Sequence, residues 1–491
     1  MSASALAPRS VRRIAALLAT AAALIATSTA ARAATLTVDD AVRLALQKNQ
    51  ALKVSAFTPD IARANVLAEY GSFDPAFGFR RTHSESEAPG VIGTVVKQDD
   101  YSISFGGLTP WGLTYSLNGR ADIQRNTFNP LSGVYSTFGG ISITQPLLRG
   151  FGFGANLAGL RIAKADRGIA DWQHRQNVIN TVTNVVLVYT NVLQARENIR
   201  IAQLSRDLTG QLVNQYERRN LAGAISDADV ILARARLASR EENVLFAQRN
   251  VADFENQLRQ LIGETNFLVS GSTLELEPLT PAPPVTIDPA NELKRAYELR
   301  PDFQAARLGI TRRKASSAFA QNQLLPRVDF IGSYGYVGDD PDFSTARAQV
   351  RDRDARAYSA AVAVSIPLTF AEGRGRARAA RLGVKQSEAD LIRLEQDIAV
   401  DISAAAGQIE TTRMRVQVTR NAMNLAEQSL SSEQKKLDAG TGRTLDVLTA
   451  QEQLAQVQSS YARAIADERR ARANYERELG TTLETRGLKI E

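Results

Sequence analysis

The chain of 491 residues contains no cysteine and only two histidines, His83 and His174. The absence of cysteine excludes disulfides, thiolate metal sites, thiol catalysis and a lipid anchor on an N-terminal cysteine. Two isolated histidines disfavour a zinc or iron centre. The sequence also shows no nucleophile with a base and no paired carboxylates. We therefore predict no catalytic residue, no metal site and no cofactor.

Proline is missing from two long stretches, residues 147–277 and 368–491, and all 16 prolines lie at or before Pro367. An interior proline removes a backbone donor and clashes with the preceding turn, so stretches without it permit very long helices. Both stretches are rich in Ala, Leu, Gln, Glu and Arg, a composition typical of coiled coils. We predict helices near 155–220 and 374–437, each about 95–100 Å long.

A strong excess of one charge is also lacking. The formal net charge is +7, but residues 1–33 contain four arginines and no acidic residue, and without them the excess falls to three. No stripe of basic residues interleaved with aromatic ones is present, so a nucleic-acid partner is not expected.

The first 33 residues have the pattern of a secretory signal peptide. Arginines precede an apolar run from Ile14 to Ile25, and Ala31–Ala33 supplies an A-x-A cleavage site. The alternative is a membrane anchor, but a run of 12 residues is too short to span a bilayer. No later segment approaches 18 consecutive apolar residues, so we expect no membrane helix.

The two halves of the chain repeat each other. Equivalent residues lie 217 positions apart, as in Gly223/Gly440, Asp229/Asp446, Val230/Val447 and Gly263/Gly480. Each half is predicted to contain a helix, a strand region and a long helical hairpin. The predicted boundaries are a signal peptide at 1–33, a first repeat at 34–270 with barrel strands 72–146 and hairpin 155–262, a proline-rich linker at 271–289, a second repeat at 290–480 with barrel strands 327–367 and hairpin 374–479, and a tail at 481–491.

Apolar residues in the second helix of each predicted hairpin recur at alternating spacings of three and four. This is the a/d pattern of a coiled coil, whose apolar side chains pack into a neighbouring helix. The pattern runs through Val230, Ala233, Leu237, Arg240, Val244, Ala247, Val251, Phe254, Leu258 and Leu261, nine of which are apolar, and again through Val447, Ala450, Leu454, Val457, Tyr461 and Ala464.

The strand regions alternate between apolar and small polar residues. In the second half, Tyr358, Val362 and Val364 alternate with Ser359 and Ser365. Segments of about ten residues with this pattern suit a transmembrane barrel. The alternative is a soluble sandwich, but about two strands per half are too few to bury a core. A barrel would therefore be built from several chains.

The first strand region is longer than the second. Pro75 and Pro146 are 71 residues apart, whereas Pro326 and Pro367 are 41 apart. The additional residues contain a hairpin-like turn around Trp111, flanked by alternating runs. Two interpretations remain open: this hairpin adds strands to the barrel, or it forms a surface loop.

Taken in order, these features resemble the TolC family of outer-membrane channel proteins. The residues that carry the resemblance are Leu36–Ala41, Gln145-Pro146-Leu147-Leu148, Ile366-Pro367-Leu368, Gly223-x5-Asp229-Val230 and Gly440-x5-Asp446-Val447-Leu448. The resemblance implies a mainly α fold with a membrane β region, in which long coiled-coil hairpins and strands form a homotrimeric α/β barrel. It also implies contact with outer-membrane lipid, a helical barrel extending into the periplasm, a periplasmic adaptor protein and an inner-membrane pump of the resistance-nodulation-division or ABC type.

The resemblance further assigns functions to the turns of the two hairpins. Residues that would dock the adaptor are Ala222, Gly223, Ala224, Ala439, Gly440 and Thr441; the alternative is that the glycines only end helices by accepting positive φ. Asp229 and Asp446 match positions that narrow the closed periplasmic tip. Arg443 lies one residue beyond the place of the family's latch arginine. The alternative for these charged residues is an ordinary solvated surface.

The function that the sequence favours is a passive exit duct of a tripartite efflux or type I secretion system. A periplasmic adaptor built on coiled-coil hairpins is the main alternative, but it should show one hairpin and no internal repeat. An enzyme on a helical scaffold is a third possibility. The sequence does not identify the cargo.

Overall fold

A computed structural model of the chain describes residues 35–86, 96–126, 129–223, 225–264, 274–283, 287–439 and 441–488. The predicted signal peptide lies outside these residues, as do parts of the predicted linker and tail. Two of the predicted docking residues, Ala224 and Gly440, also lie outside them.

The first repeat contains short helices, four strands and a long helical hairpin. Its elements are α1 Val38–Lys48, α2 Gln50–Tyr70, a 3-10 turn Gly71–Phe73, β1 Ala76–Ser86, β2 Val96–Leu108, β3 Thr114–Asn126, β4 Asn129–Pro146, α3 Phe153–Asn156, α4 Ala158–Leu221 and α5 Asp227–Leu261.

The second repeat follows the same order with two strands instead of four. Its elements are α6 Pro289–Leu299, α7 Pro301–Asn322, β5 Arg327–Asp340, α8 Phe343–Asp352, β6 Ala355–Ser365, α9 Ala371–Asp438, α10 Thr444–Leu479 and α11 Thr482–Thr485. The four long helices lie within the two proline-free stretches, which confirms the prediction made from the missing proline.

The repeat is visible in the contacts that close each half. Asn49, between α1 and α2, donates a hydrogen bond to the carbonyl of Leu261 at 2.9 Å. Arg300, between α6 and α7, donates to the carbonyl of Glu478 at 3.1 Å. The acceptors in these two bonds are again 217 residues apart. The end of each long hairpin is therefore fastened to the start of its own repeat in the same way.

The chain divides into two compact units. One comprises residues through Gln50 with Thr181–Thr286 and Ala406–Tyr475, and the other comprises Ala51–Asn180, Ile287–Ala405 and Glu476–Glu491. In the first unit, the hydroxyl of the fully buried Tyr189 donates to the carbonyl of Leu36 at 2.7 Å and accepts from the amide of Glu277 at 3.3 Å. This hydrogen-bonded tyrosine ties the N-terminal segment to the segment that follows the first hairpin.

The predicted apolar pattern of the long helices is confirmed as a buried seam. All of its ten positions in α5 and all six in α10 are buried or half-buried. Apolar residues of α5 that fall outside the pattern, Ile231, Leu232, Leu245 and Phe246, are exposed. Burial therefore follows the coiled-coil period, as close packing between neighbouring helices requires.

The second unit contains one six-stranded antiparallel sheet with the order β1-β2-β3-β4-β5-β6. The hairpin around Trp111 forms β2 and β3, which lie inside this sheet rather than in a surface loop. The expectation of about two strands per half is therefore wrong for the first repeat, which supplies four. The sequence underestimated this number because the alternating runs on either side of Trp111 did not show whether they pair with the other strands.

The two faces of the sheet differ in chemistry. One row across it contains an apolar residue from every strand: Phe77, Phe105, Leu117, Ile141, Tyr334 and Tyr358. The next row contains only small or polar residues: Gly78, Ser104, Asn118, Gly140, Gly335 and Ala357. Successive residues of a strand point to opposite faces, so at these rows one face is apolar and the other is small or polar.

Helix α8 was not predicted. It lies within residues 327–367, which were expected to contain only barrel strands. Asp342 caps its first turn by accepting a hydrogen bond from the amide of Thr345 at 3.0 Å. The helix packs so closely on β5 that a Cβ atom at Gly338 would lie 2.1 Å from the carbonyl oxygen of Ala346. The strand region therefore carries a short helix between its last two strands.

Among the described residues, α4 contains an 18-residue window that is apolar enough to cross a membrane, but 67% of that window is buried inside the protein. A mostly buried window is typical of a helix in a protein core. We therefore assign the window to the packed helical region.

Candidate functional site

The turn between α4 and α5 carries the first group of predicted docking residues. Ala222 and Gly223 lie in this turn and are exposed. Gly223 has a φ of 73° and donates its amide to the carbonyl of Asn220 at 2.8 Å. No atom would contact a Cβ at this position within 4 Å, so glycine is favoured here by backbone conformation rather than by packing.

Side chains on both sides of this turn hold it closed. The amide of the Asn220 side chain donates to the carbonyl of Ile225 at 3.1 Å and to the Asp227 carboxylate at 2.9 Å. Ser226 caps α5 by accepting from the amide of Asp229 at 3.3 Å, and its hydroxyl donates to the Asp229 carboxylate at 2.7 Å. The predicted gate residue Asp229 is thus exposed and fixed by the helix cap.

The turn between α9 and α10 is built differently. The amides of Thr441 and Gly442 both donate to the carbonyl of Lys436, at 3.0 and 2.9 Å. A Cβ atom at Gly442 would lie 2.8 Å from the backbone nitrogen of Leu437, so only glycine fits without a shift. The predicted docking residues Ala439 and Thr441 are exposed in this turn. The structural importance of Gly442 was missed, although its glycine was the available signal.

The remaining predicted gate residues, Arg443 and Asp446, are exposed at the start of α10. Lys436 donates a hydrogen bond to the Glu433 carboxylate, which raises the pKa of Lys436, and the negative charges of Glu433 and Asp446 raise this pKa further. Asp446 therefore lies within electrostatic range of a lysine of its own chain. Within the described part of the chain, Arg443 forms no ion pair with Asp229 or Asp446 of its own chain.

The two hairpins pack together close to their turns. Tyr216 of α4 is fully buried in a cluster that also contains residues of α5 and α10: Leu212, Val213, Val230, Ala233 and Leu448. A second contact joins Arg236 and Arg240 to Glu452, at 3.6 and 3.7 Å. Tyr216 was not among the residues predicted from the sequence, where the available signal was an aromatic residue on a long helix with few others. The turns are therefore held at the end of a region in which α4, α5 and α10 pack together.

No group of three His, Asp or Glu side chains that could hold a metal ion occurs in the described ranges. Within the described residues, one unit presents two exposed turns on packed hairpins, with carboxylates at the helix starts. The other unit contains the sheet, which has a row of apolar side chains on one face.

The chain is similar to known proteins in both sequence and fold. The profile of the family described as outer membrane efflux protein matches residues 41–264 and 293–481, which includes most of both repeats. Outer membrane protein TolC of Escherichia coli strain K12 is 23% identical over 299 residues. That match covers 59% of this chain and 59% of TolC's own length.

Several solved structures have the same fold. The outer-membrane channel OprN has a TM-score of 0.70 at 19% identity, and the match covers 90% of each chain. The CmeC channel of Campylobacter jejuni has a TM-score of 0.69 at 14% identity, covering 91% of this chain and 86% of CmeC. VceC of Vibrio cholerae has a TM-score of 0.68 at 18% identity, covering 90% of this chain and 96% of VceC.

These comparisons confirm the predicted fold class, a mainly helical channel protein with long hairpins and a membrane sheet. They also confirm the predicted location, the outer membrane with a helical barrel in the periplasm. Because the family profile matches more than half of the sequence, the chain belongs to the outer membrane efflux protein family.

Proposed function

We propose that this outer-membrane efflux duct is the passive exit channel of a tripartite efflux or type I secretion system. In this proposal three copies form the channel. A periplasmic adaptor joins the channel to an inner-membrane pump of the resistance-nodulation-division or ABC type, and the pump supplies the energy. The observation that carries the proposal is the pair of exposed turns held at the end of two long, mutually packed hairpins.

The exposed turns suit docking by another protein. Ala222, Gly223, Ala439 and Thr441 have small side chains, which permit close approach of a second backbone. Leu221, next to the first turn, is 87% exposed. Small residues beside an exposed leucine offer a compact apolar surface without bulky obstacles. We assign adaptor docking to these positions and, by the repeat, to Ala224 and Gly440, which lie outside the described residues.

The carboxylates beside the turns suit a gate. In three copies, Asp229 and Asp446 supply six carboxylates around the periplasmic aperture. A ring of like charges between walls of low dielectric constant attracts cations. Since Arg443 is exposed and forms no ion pair within the described part of its own chain, we propose that it pairs with an aspartate of a neighbouring copy. Exposed pairs contribute only about 0–1 kcal/mol each, so high salt should loosen such a latch.

The alternative of a periplasmic adaptor is less well supported. An adaptor is expected to have one hairpin and no internal repeat, whereas the described part of this chain contains two hairpins and a six-stranded sheet. No enzymatic step is part of the proposed function.

Docking can be tested by photo-crosslinking in cells that co-express the chain with a candidate adaptor and pump. A photoreactive residue at Ala222 or Thr441 should capture the adaptor. The matched control is Val418, which is exposed on α9 but distant in sequence from the turn. Equal capture at Val418, or no capture at either turn with any adaptor that supports export, would contradict docking at the turns.

Export itself can be tested with Thr441→Trp. A bulky ring in the turn should block docking and abolish export of ethidium or of a secreted protein, while trimers persist on native gels. If trimers and export are lost together, the residue is structural and the docking role is wrong. A stable monomer in the soluble fraction for the wild-type chain would contradict the trimeric duct as a whole.

A further inference from the structure

The edges of the six-stranded sheet are unpaired. In the described strands, β1 pairs only with β2, and β6 pairs only with β5. Both edge strands are 11 residues long, the length of a tilted strand that spans a membrane. In lipid, backbone N–H and C=O groups at such an edge have no water to replace a missing partner. An isolated copy of this sheet is therefore incomplete in a membrane.

The apolar side chains of the two edge strands are also the most exposed of their row. Phe77 on β1 is 72% exposed and Tyr358 on β6 is 81% exposed. The four residues between them, on the inner strands, are about half exposed because neighbouring strands cover their flanks. A long, exposed, apolar edge recruits another strand.

A second copy of the chain fits these edges. The six strands alternate in direction, so β1 and β6 run opposite to each other. When β6 of one copy lies beside β1 of the next, the new pair is antiparallel and the sheet continues without a change of pattern. The two strands have equal length, so the amide groups of one edge can find partners along the whole of the other.

The additional hairpin is part of this continuous sheet. The β2–β3 turn packs against the segment after β4, where the amide of Gly152 donates to the carbonyl of Trp111 at 2.9 Å. A Cβ atom at Gly112, in the same turn, would lie 2.4 Å from the carbonyl oxygen of Gly150. These contacts hold the hairpin in place at the end of the sheet.

We propose that β6 of each copy pairs with β1 of the next and that all six strands of every copy enter the wall of the membrane barrel. With the three copies of the proposed function, on which this inference rests, the barrel contains 18 strands. For strands about 4.8 Å apart and tilted by about 40°, 18 strands give a backbone diameter of about 36 Å. If β2 and β3 of each copy stayed outside the wall, the remaining 12 strands would give about 24 Å.

The width has a consequence for the cargo. Barrels of 16–18 strands leave an aqueous channel. The face that would line this channel carries mainly small or polar residues such as Ser104, Asn118 and Ala357, and the ring of Phe138 covers Gly140 and Gly335 on the same face. The barrel therefore admits bulky hydrophilic cargo, and the periplasmic end of the channel selects cargo by size.

Disulfide crosslinking tests the pairing of the edges, because the chain has no cysteine of its own. Thr82→Cys on β1 is combined in turn with Ala357→Cys, Ser359→Cys and Ala361→Cys on β6. At the register where the Cα atoms come within about 7 Å, oxidation should yield covalently linked trimers on denaturing gels. If none of the three pairs links copies, edge pairing is overturned.

Two control pairs accompany this experiment. Ser333→Cys with Ser359→Cys should link β5 to β6 within one chain, because these hydroxyls already lie 2.8 Å apart. Ser104→Cys with Ala357→Cys places one cysteine on the inner strand β2 and should give no link between copies. A ladder of linked copies from this second pair would show that β2 lies at an edge and would overturn the inference.

Electron cryomicroscopy of the wild-type protein in lipid nanodiscs provides a measurement that needs no variant. A trimer with a barrel about 36 Å wide supports the inference. A trimer with a barrel about 24 Å wide overturns it and leaves the proposed duct intact. Any other number of copies contradicts the proposed trimer and, with it, the count of 18 strands.

Discussion

Tyr216 is the side chain whose removal should loosen the turns most. It is fully buried between residues of three long helices, with Leu212 and Val213 on its own helix, Val230 and Ala233 on α5, and Leu448 on α10. Replacing a buried aromatic residue by alanine removes its apolar contacts and leaves a cavity, at a cost of about 3–5 kcal/mol. We expect Tyr216→Ala to weaken the packing between the two hairpins near their turns by this amount.

Hydrogen exchange is the suitable measurement, because unfolding of a large membrane protein is not a single two-state transition. Local opening governs the exchange of buried helical amides, and each 1.4 kcal/mol changes the opening equilibrium about tenfold. Amides of residues 206–216 and 227–233 should therefore exchange at least about 100-fold faster in Tyr216→Ala. Amides of the six-stranded sheet should be unchanged. Uniform acceleration across both regions would mean global destabilisation and would refute the local argument.

Tyr216→Phe is the matched control. The Tyr216 hydroxyl is buried and has no hydrogen-bond partner among the described residues. Removing an unpaired buried hydroxyl while keeping the ring costs little and can stabilise a protein. Exchange in this variant should match the wild type or be slower. If the phenylalanine variant exchanged as fast as the alanine variant, the hydroxyl rather than the ring would carry the interaction, and the packing argument would fail.

Tyr216 should also make the packing of the hairpin ends sensitive to alkaline pH. Burial disfavours the ionised phenolate and raises the pKa of Tyr216 from its ordinary value of 10.0 to about 12. In the unfolded chain the phenol ionises at its ordinary pKa. The contribution of the neutral, buried Tyr216 to the free energy of unfolding is therefore fully present below pH 10. It is lost between about pH 10 and 12. Loosening of the hairpin ends in this window should be smaller in Tyr216→Phe; an identical pH dependence would contradict the assignment.

Three further predictions concern other parts of the chain. Tyr189→Phe removes the hydroxyl that donates to the carbonyl of Leu36 at 2.7 Å. The N-terminal segment should therefore lose about 1–2 kcal/mol of local stability and be cleaved faster by protease. An unchanged rate of cleavage would refute this prediction. Gly263→Ala adds a Cβ atom 2.7 Å from the backbone at the end of α1, at a φ of 71°, whereas Gly223→Ala adds only backbone strain at a φ of 73°. We expect Gly263→Ala to lower the melting temperature clearly, and Gly223→Ala to lower it only by the small shift that a loss of about 1 kcal/mol produces. Equal shifts would contradict the packing argument. Asp446→Ala should reduce the cation selectivity of the channel in planar bilayers, and unchanged selectivity when both gate aspartates are alanine would return them to the solvated-surface interpretation.

Periodicity was the part of the fold that could be predicted from the sequence. The spacings of three and four from Val230 to Leu261 place one stripe of side chains on one side of a helix, and the structure buries or half-buries that stripe. The missing proline predicted the long helices, and the constant separation of Gly263 and Gly480 predicted two repeats that close in the same way. These features are local or recur at a fixed separation, so they can be recognised in the sequence without knowledge of contacts.

The turns were located correctly, but their internal geometry was not predictable. The sequence placed Gly223 and Thr441 between long helices, where the structure also has them. It did not show that Gly442 is required by close approach to Leu437, because that contact depends on how the preceding helix ends. The docking and gating roles of these turns stay predictions, because they depend on partners and on neighbouring copies.

What the sequence by itself determined is the class of most segments: long helices with one apolar side, strands with alternating faces, and turns between them. What only the tertiary structure decided is pairing. The strands on either side of Trp111 became inner strands because their backbone groups pair with β1 and β4, and the segment from Phe343 to Asp352 became a helix because Gly338 lets it lie against β5. Pairing is a contact between residues distant in the chain. Its free energy depends on the neighbour as much as on the strand, and the sequence of one segment does not contain the neighbour.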